Sequence, residues 1–344
     1  MDEQRKIQKV GYSTLSVSIP SEFARVSNLH AGDSLLVRQE ADGTLRLIPS
    51  TFVKRISKAT IKADQMGSEE LLSRLIIGCY ILGYDTIEVV AKNRLDESVA
   101  DNAMTTMRRL RGLEVVDTQQ DRVIGQSFMD PTKFPVDSLI KRLQILVSRS
   151  LGNVIDAIQK GTIGRLNEVR RTQDEVDELY WLIARQLLVA LNHRELAAKI
   201  GIESPLHASG DRVTAKTLEQ IGVIILDLSE EIIRLRGKGG KIGETVVIRI
   251  ERLARKAQEA FNMTVESLLT PDIKLVKLAI GLVDETLQME KEITHELLES
   301  GEYAYSRIIV SHLGQLARYC NIIIEIASHR LLRKTSRVVT VQHE

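Results

Sequence analysis

Three rhythms of apolar and polar residues follow one another along the chain. In the first, Leu15, Val17 and Ile19 alternate with Thr14, Ser16 and Ser18, the period of a half-buried strand. Pro20 ends that run, and Ser21 caps a short predicted helix reaching Ala24. A turn at His30, Ala31, Gly32 and Asp33 leads into a strand through Leu35 and Val37. Asp42-Gly43 is a strong hairpin signal, after which Leu45 and Leu47 alternate again until Pro49. A β-unit of this size is too small to bury a core alone. Dimerisation or packing on a neighbouring domain has to complete it.

The second rhythm, over residues 51–130, mixes both periods. Strands are predicted at 59–63 and 86–91, helices at 68–82 and 95–111, and a final hairpin at 113–117 and 123–128. That order, βαβαββ, describes a small α/β domain. From Pro131 the period is helical. Leu139, Leu143, Leu146, Leu151, Val154 and Ile158 make one apolar face. Later helices are expected near 165–191, 213–235, 245–269, 273–298 and 303–332. Breaks are expected at Gly161, from Gly201 to Gly210, from Gly237 to Gly243, at Thr270-Pro271 and at Gly301. This half also repeats: Arg212, Val213 and Leu218-Glu219-Gln220-Ile221 recur, equally spaced, as Arg307, Ile308 and Leu313-Gly314-Gln315-Leu316. Two three-helix units follow, divided by a glycine-rich linker. The expected domains are 1–50, 51–130, 131–236 and 244–335.

Composition narrows the function classes. Across 344 residues, Lys plus Arg number 47 and Asp plus Glu 46, which excludes a globally basic nucleic-acid coat or a polyacidic tail. Any DNA contact has to be local. The two cysteines, Cys79 and Cys320, give no disulfide framework and suit a reducing cytoplasm. The first nine residues are polar and charged, unlike a secretory leader. No run reaches the ~18 apolar residues of a membrane span, so no direct membrane insertion is expected.

The head resembles the AbrB/SpoVT family. The resemblance rests on Arg5-Lys6-Ile7-Gln8-Lys9-Val10-Gly11, Leu15-Ser16-Val17-Ser18-Ile19-Pro20, Ala31-Gly32-Asp33, and Asp42-Gly43 with Leu45, Leu47 and Pro49. It implies an intertwined dimer whose hairpins complete each other's barrel, and in many members DNA binding. The helical half, over about residues 132–335, resembles PhoU. Val176-Asp177-Glu178-Leu179-Tyr180 and Leu218-Glu219-Gln220-Ile221-Gly222 are similar to the motifs of that family's second and third helices. PhoU-like proteins regulate phosphate uptake, with phosphate transporters and, in bacteria, the associated sensor kinase. A fused AbrB-like head looks like the archaeal variety. The resemblance implies an α+β multidomain chain: a swapped-hairpin β head, a small α/β domain and an all-α PhoU-like pair of three-helix bundles.

The residues offer competing readings. Arg5, Lys6 and Lys9 open the first strand, and Arg25 follows on the short helix. They form either a phosphate-contacting patch doubled by a two-fold axis or a charged strand edge that resists aggregation. Arg108, Arg109 and Arg111 read as complements to a helix dipole. The stretch from Arg236 to Lys241 lacks phosphate-loop spacing and reads as a linker. Tyr180 and Trp181 read as packing between helices. PhoU-like proteins often hold multinuclear metal clusters on Glu/Asp-x-x-x-Asp pairs, but here each pair has lost a member. Asp177 has Gln173 before it, Glu219 has Val223 after it, Glu290 has Thr294 after it, and the last helix offers Gly314 and Arg318. No tightly held metal and no cofactor are therefore expected, and no catalytic motif is evident. The expectation is a cytoplasmic, homodimeric, non-enzymatic regulator of phosphate homeostasis and transcription, whose partners are DNA, a second copy and a phosphate transporter subunit. The alternatives are a non-DNA-binding adaptor and a metal-binding bundle protein.

Overall fold

The computed structural model describes residues 3–39, 43–49, 57–65, 67–161, 163–237, 242–299 and 304–332. Asp42 of the expected hairpin, residues 238–241 of the glycine-rich linker and the expected break at Gly301 lie outside them. The chain divides into two compact units, Met1–Ile56 and Ser57–Glu344.

In the first unit, β1 (Gln8–Val10) and β2 (Thr14–Ser16) pair antiparallel, with Lys9 opposite Leu15. Gly11 makes the turn at φ +66°, where a side chain would be strained. The short helix α1 spans Ser21–Val26. Pro20, not Ser21, occupies the cap position, and no side chain caps the helix. The expected Ser21 cap is thus displaced by one residue, because the fixed φ of proline already suits the helix entry. The second hairpin pairs β3 (Leu35–Gln39) with β4 (Leu45–Pro49), Arg38 lying opposite Arg46.

Among the described residues of this first unit only Pro49 is buried. Ile7, Val10, Tyr12, Leu15, Val17, Val26, Leu36, Val37 and Leu45 are each more than half exposed, from 51% for Leu36 to 100% for Tyr12. A large apolar side chain left in water forgoes about 1.5–3 kcal/mol of burial.

The second unit opens with a four-stranded sheet of order β5-β6-β8-β7. Its strands are β5 (Lys58–Lys62), β6 (Thr86–Val90), β7 (Leu113–Gln119) and β8 (Arg122–Ser127). Parallel β5 and β6 need a crossover, supplied by α2 (Glu69–Ile81). Ser68 Oγ accepts the Leu71 N–H and starts that helix. The second crossover, α3 (Glu97–Arg108), returns the chain to the antiparallel β7–β8 hairpin. Ile87 and Val89 join Leu72, Ile76, Tyr80 and Met107 in the core. Glu88, between the two strand residues, faces the other way and pairs with Lys58 at 2.8 Å.

Six long helices follow: α4 (Val136–Lys160), α5 (Leu166–Asn192), α7 (Pro205–Gly237), α8 (Glu244–Leu269), α9 (Ile273–Glu299) and α10 (Ala304–Leu332). A short α6 (Arg194–Lys199) intervenes. Helices α4, α5 and α7 pack mutually, as do α8, α9 and α10, and the triads join through α7–α10 and α4–α8. One continuous apolar core runs through both triads.

Helix α7 differs from its expected extent. It starts at Pro205 and runs through Gly210, where a break was expected. Proline suits the first turn, and the Ser204 hydroxyl accepts the His207 N–H. Gly210 serves packing: a Cβ there would lie 2.9 Å from the Ile326 side chain, so glycine lets α10 approach.

Arg330 ties the two triads. From α10 its guanidinium donates to Asp137 on α4 at 3.0 Å, to Asp211 on α7 and to the Leu268 carbonyl on α8 at 3.1 Å. Arg330 is 9% exposed and Asp211 1%. Burial pushes the Asp211 carboxyl above its usual range, against the pull of Arg330. Arg330→Met, which strands that carboxylate, is expected to lower unfolding free energy by about 3–5 kcal/mol. Urea titration measures it, and an unchanged midpoint contradicts the assignment of Arg330 as the tie between triads.

Candidate functional site

The head cations all come from its surface elements. Arg5 and Lys6 precede β1, Lys9 lies in it, and Arg25 sits in the last turn of α1, all exposed. Arg5 pairs with Glu3, which draws its charge back toward the chain. Lys6, Lys9 and Arg25 have no ion pair among the described residues. The expected set omitted Arg38 and Arg46, which the β3–β4 register sets face to face. Like charges directly opposite are unfavourable on a sheet unless something else meets them. A two-residue turn at Asp42-Gly43 would set Arg38 opposite Leu47, so the sequence did not mark this pair.

The body concentrates its charge on α5 and its neighbours. Besides standing at the end of α3, Arg109 and Arg111 both reach across to α5. Arg109 pairs with Asp174 at 2.9 Å and Asp177 at 3.8 Å, and Arg111 with Glu178 at 3.3 Å. Arg109 also lies 5.1 Å above the Trp181 ring. Trp181 packs against the sheet-layer core and the helical core alike, so its partner is the α/β layer as well as helices. Arg185, nearby on α5, donates to the Tyr84 carbonyl at 3.0 Å and stacks 4.9 Å from the Tyr80 ring. Tyr180 takes Arg212 on its face and on its hydroxyl.

Each of the three carboxylates marked by the sequence meets a side chain of this same protein. Asp177 accepts from Gln173 Nε2 at 2.8 Å, Glu219 accepts from Lys216 and Gln220, and Glu290 pairs with Arg318 at 3.0 Å. They do not converge as a cluster of oxygen ligands, which hard cations require. A fourth group, Asp137, His207 and Asp211, does bring ligand atoms within 4.8 Å of one another. There, however, His207 Nδ1 accepts the Glu203 N–H, so the ring proton belongs on Nε2, which faces Asp211 at 3.4 Å. Arg330 bridges the two carboxylates. The residues therefore do not fit a metal centre.

Comparisons with known proteins match two separate stretches of the chain. A family model described as the PhoU domain matches residues 140–232, from α4 into α7. The helical body carries a PhoU domain. A second model, described as antidote-toxin recognition MazE, a bacterial antitoxin, matches residues 8–54, so the PhoU domain follows a MazE/AbrB-type head. No curated protein matches the chain. The triad α8–α10 lies beyond the matched residues and repeats the layout of the PhoU domain. Among the described residues, no helix is long and apolar enough to cross a membrane.

Two expectations follow. Elemental analysis of protein purified without chelator should find less than about one transition metal per chain; two or more, removed by mutating Asp177 and Glu219, contradict the fit argument. The second concerns acidity. Burial first, then the nearby Glu219, pushes Asp177 up to about 6 against the pull of Gln173. The folded protein therefore holds this proton at pH values where the unfolded chain has released it. That contribution favours folding below the unfolded value near 4 and is lost as pH rises through about 6. Asp177→Asn should match the parent near pH 4 and exceed it by about 1–2 kcal/mol at pH 8. A parent more stable than the variant at pH 8, by urea midpoint, is the contrary result.

Proposed function

We propose that the chain is a dimeric, cytoplasmic and non-enzymatic regulator of phosphate homeostasis that binds DNA through its head and presents its PhoU body to a sensing or transport partner. The observation that carries the dimeric reading is the head's nine large apolar side chains in water. Exchange of hairpins between two copies would cover such surfaces and pair their edges. The DNA reading is supported by the exposed Lys6, Lys9 and Arg25 and by the match of residues 8–54 to a MazE-type model. A two-fold axis would double each cation so that the pair meets two positions along a duplex. The PhoU match supports the link to phosphate. The carboxylates closed by Arg109, Lys216 and Arg318 support a body that works through its surface. The free thiols Cys79 and Cys320 accord with a reducing compartment.

A second reading, an adaptor whose head only dimerises and whose body binds a phosphate transporter subunit, is favoured by the charge balance of residues 1–50. Six basic residues there face six acidic ones, and Arg5 already pairs with Glu3.

Deleting residues 1–56 should move the protein from dimer to monomer in light scattering. An equally tight dimer of the remaining body contradicts dimerisation through the head. Replacing Arg5, Lys6 and Lys9 together by Gln should weaken DNA binding across sequences. It should also flatten the salt dependence by roughly one unit of slope for each phosphate no longer neutralised. An unchanged slope removes this patch from the mechanism, and a parent that binds no DNA at low salt selects the adaptor reading.

A further inference from the structure

A cleft of about 490 Å³ opens where the sheet layer meets the bundle, inside the Ser57–Glu344 unit. That volume falls in the range of small-molecule sites, which favour such junctions. Its floor is apolar: Leu139 comes from α4, and Leu179 and Leu182 from α5, all three buried in the core. Two aromatic rings beside it face solvent, Phe128 at 63% and Phe134 at 37% exposure. Exposed rings next to a leucine floor are surfaces that a flat apolar group would cover.

Three cations stand around this floor. Lys133 and Arg142 line the cleft and have no ion pair among the described residues. Arg111 reaches Glu178 through Nη2 at 3.3 Å, while its Nε is buried without a hydrogen-bond partner. Two carboxylates also line the cleft. Asp130 is turned toward its own turn, where it accepts the Thr132 N–H at 3.0 Å and the Thr132 hydroxyl at 2.7 Å. Glu114 on β7 is exposed and offers oxygens to hydroxyl or amino donors.

We infer that this cleft binds a nucleoside phosphate: its ring lies on Phe128, Phe134 and the leucine floor, its phosphate meets Lys133, Arg142 and Arg111, and Glu114 accepts from a ribose hydroxyl or base amino group. Bases stack on exposed aromatic rings whatever their identity, and charge-assisted bonds to phosphate are the stronger class of hydrogen bond. Neither half of such a ligand uses the whole cleft. The inference stands on the cleft and does not rest on the regulatory reading above.

The test is calorimetric titration of the full chain with adenine and guanine nucleotides, with the bare nucleosides, and with inorganic phosphate. At least one nucleotide should bind with Kd on the order of 10–100 µM, roughly tenfold or more tighter than its nucleoside or inorganic phosphate. Phe128→Ala and Arg142→Glu alter exposed side chains, so each should keep the parent's thermal midpoint and weaken nucleotide binding roughly tenfold. The inference is overturned if no nucleotide binds at about 1 mM. It is also overturned if phosphate or a nucleoside alone binds as tightly as the nucleotide, or if both variants bind as the parent does.

Discussion

The head has an apolar surface that it cannot fold away. Its hairpins are short, β1 and β2 carrying three residues each, and its one described helix buries nothing. A unit of this size has too little interior to offset the entropy of ordering its chain. Leu15 and Val17 alternate as strand residues that face a core do, yet they face water, as do the neighbours Leu36 and Val37 on β3. In the proposed dimer, the surface that covers them would set where Lys6, Lys9 and Arg25 stand relative to their copies. In this way the apolar deficit of the head bears directly on the geometry of its charges.

The second unit solves the opposite problem, an excess of internal charge. Helix α5 is its common wall. Trp181 packs against both cores, and Arg185 reaches back to the Tyr80 carbonyl in the last turn of α2 and to the Tyr84 carbonyl beyond it. The acids along the same helix receive Arg109 and Arg111 from the sheet layer. Farther along, Arg318 takes Glu290, and Arg330 takes Asp137 and Asp211. At each of these places a guanidinium stands where an oxygen-rich group would otherwise attract a cation. Arginine suits the role because its planar fork stays charged when buried and satisfies several acceptors at once.

The periods of the chain made most elements legible. Its β-branched residues marked β6, and the 3.6-residue rhythm marked α5, α8, α9 and α10 within a residue; α4 showed as an apolar face, and α7 begins eight residues before its expected start. Gly210 read as a break because glycine disfavours helices, whereas here it admits Ile326; that reason lies more than a hundred residues away. Helix α6 is too short to show a period. The ion pairs of Arg109 with Asp174 and Asp177 were hidden because they span about 65 residues of sequence, and a cation ending a helix looks the same whether or not an acid waits across from it. The absence of complete Glu/Asp-x-x-x-Asp pairs was readable, but not that Lys216 and Arg318 meet the remaining carboxylates.

The most direct test of a phosphate-linked DNA regulator is chromatin capture of the full-length protein from its own cells, grown at high and at low phosphate. Discrete genomic sites whose occupancy changes between the two conditions are the predicted result. A profile indistinguishable from an untagged control in both conditions contradicts it.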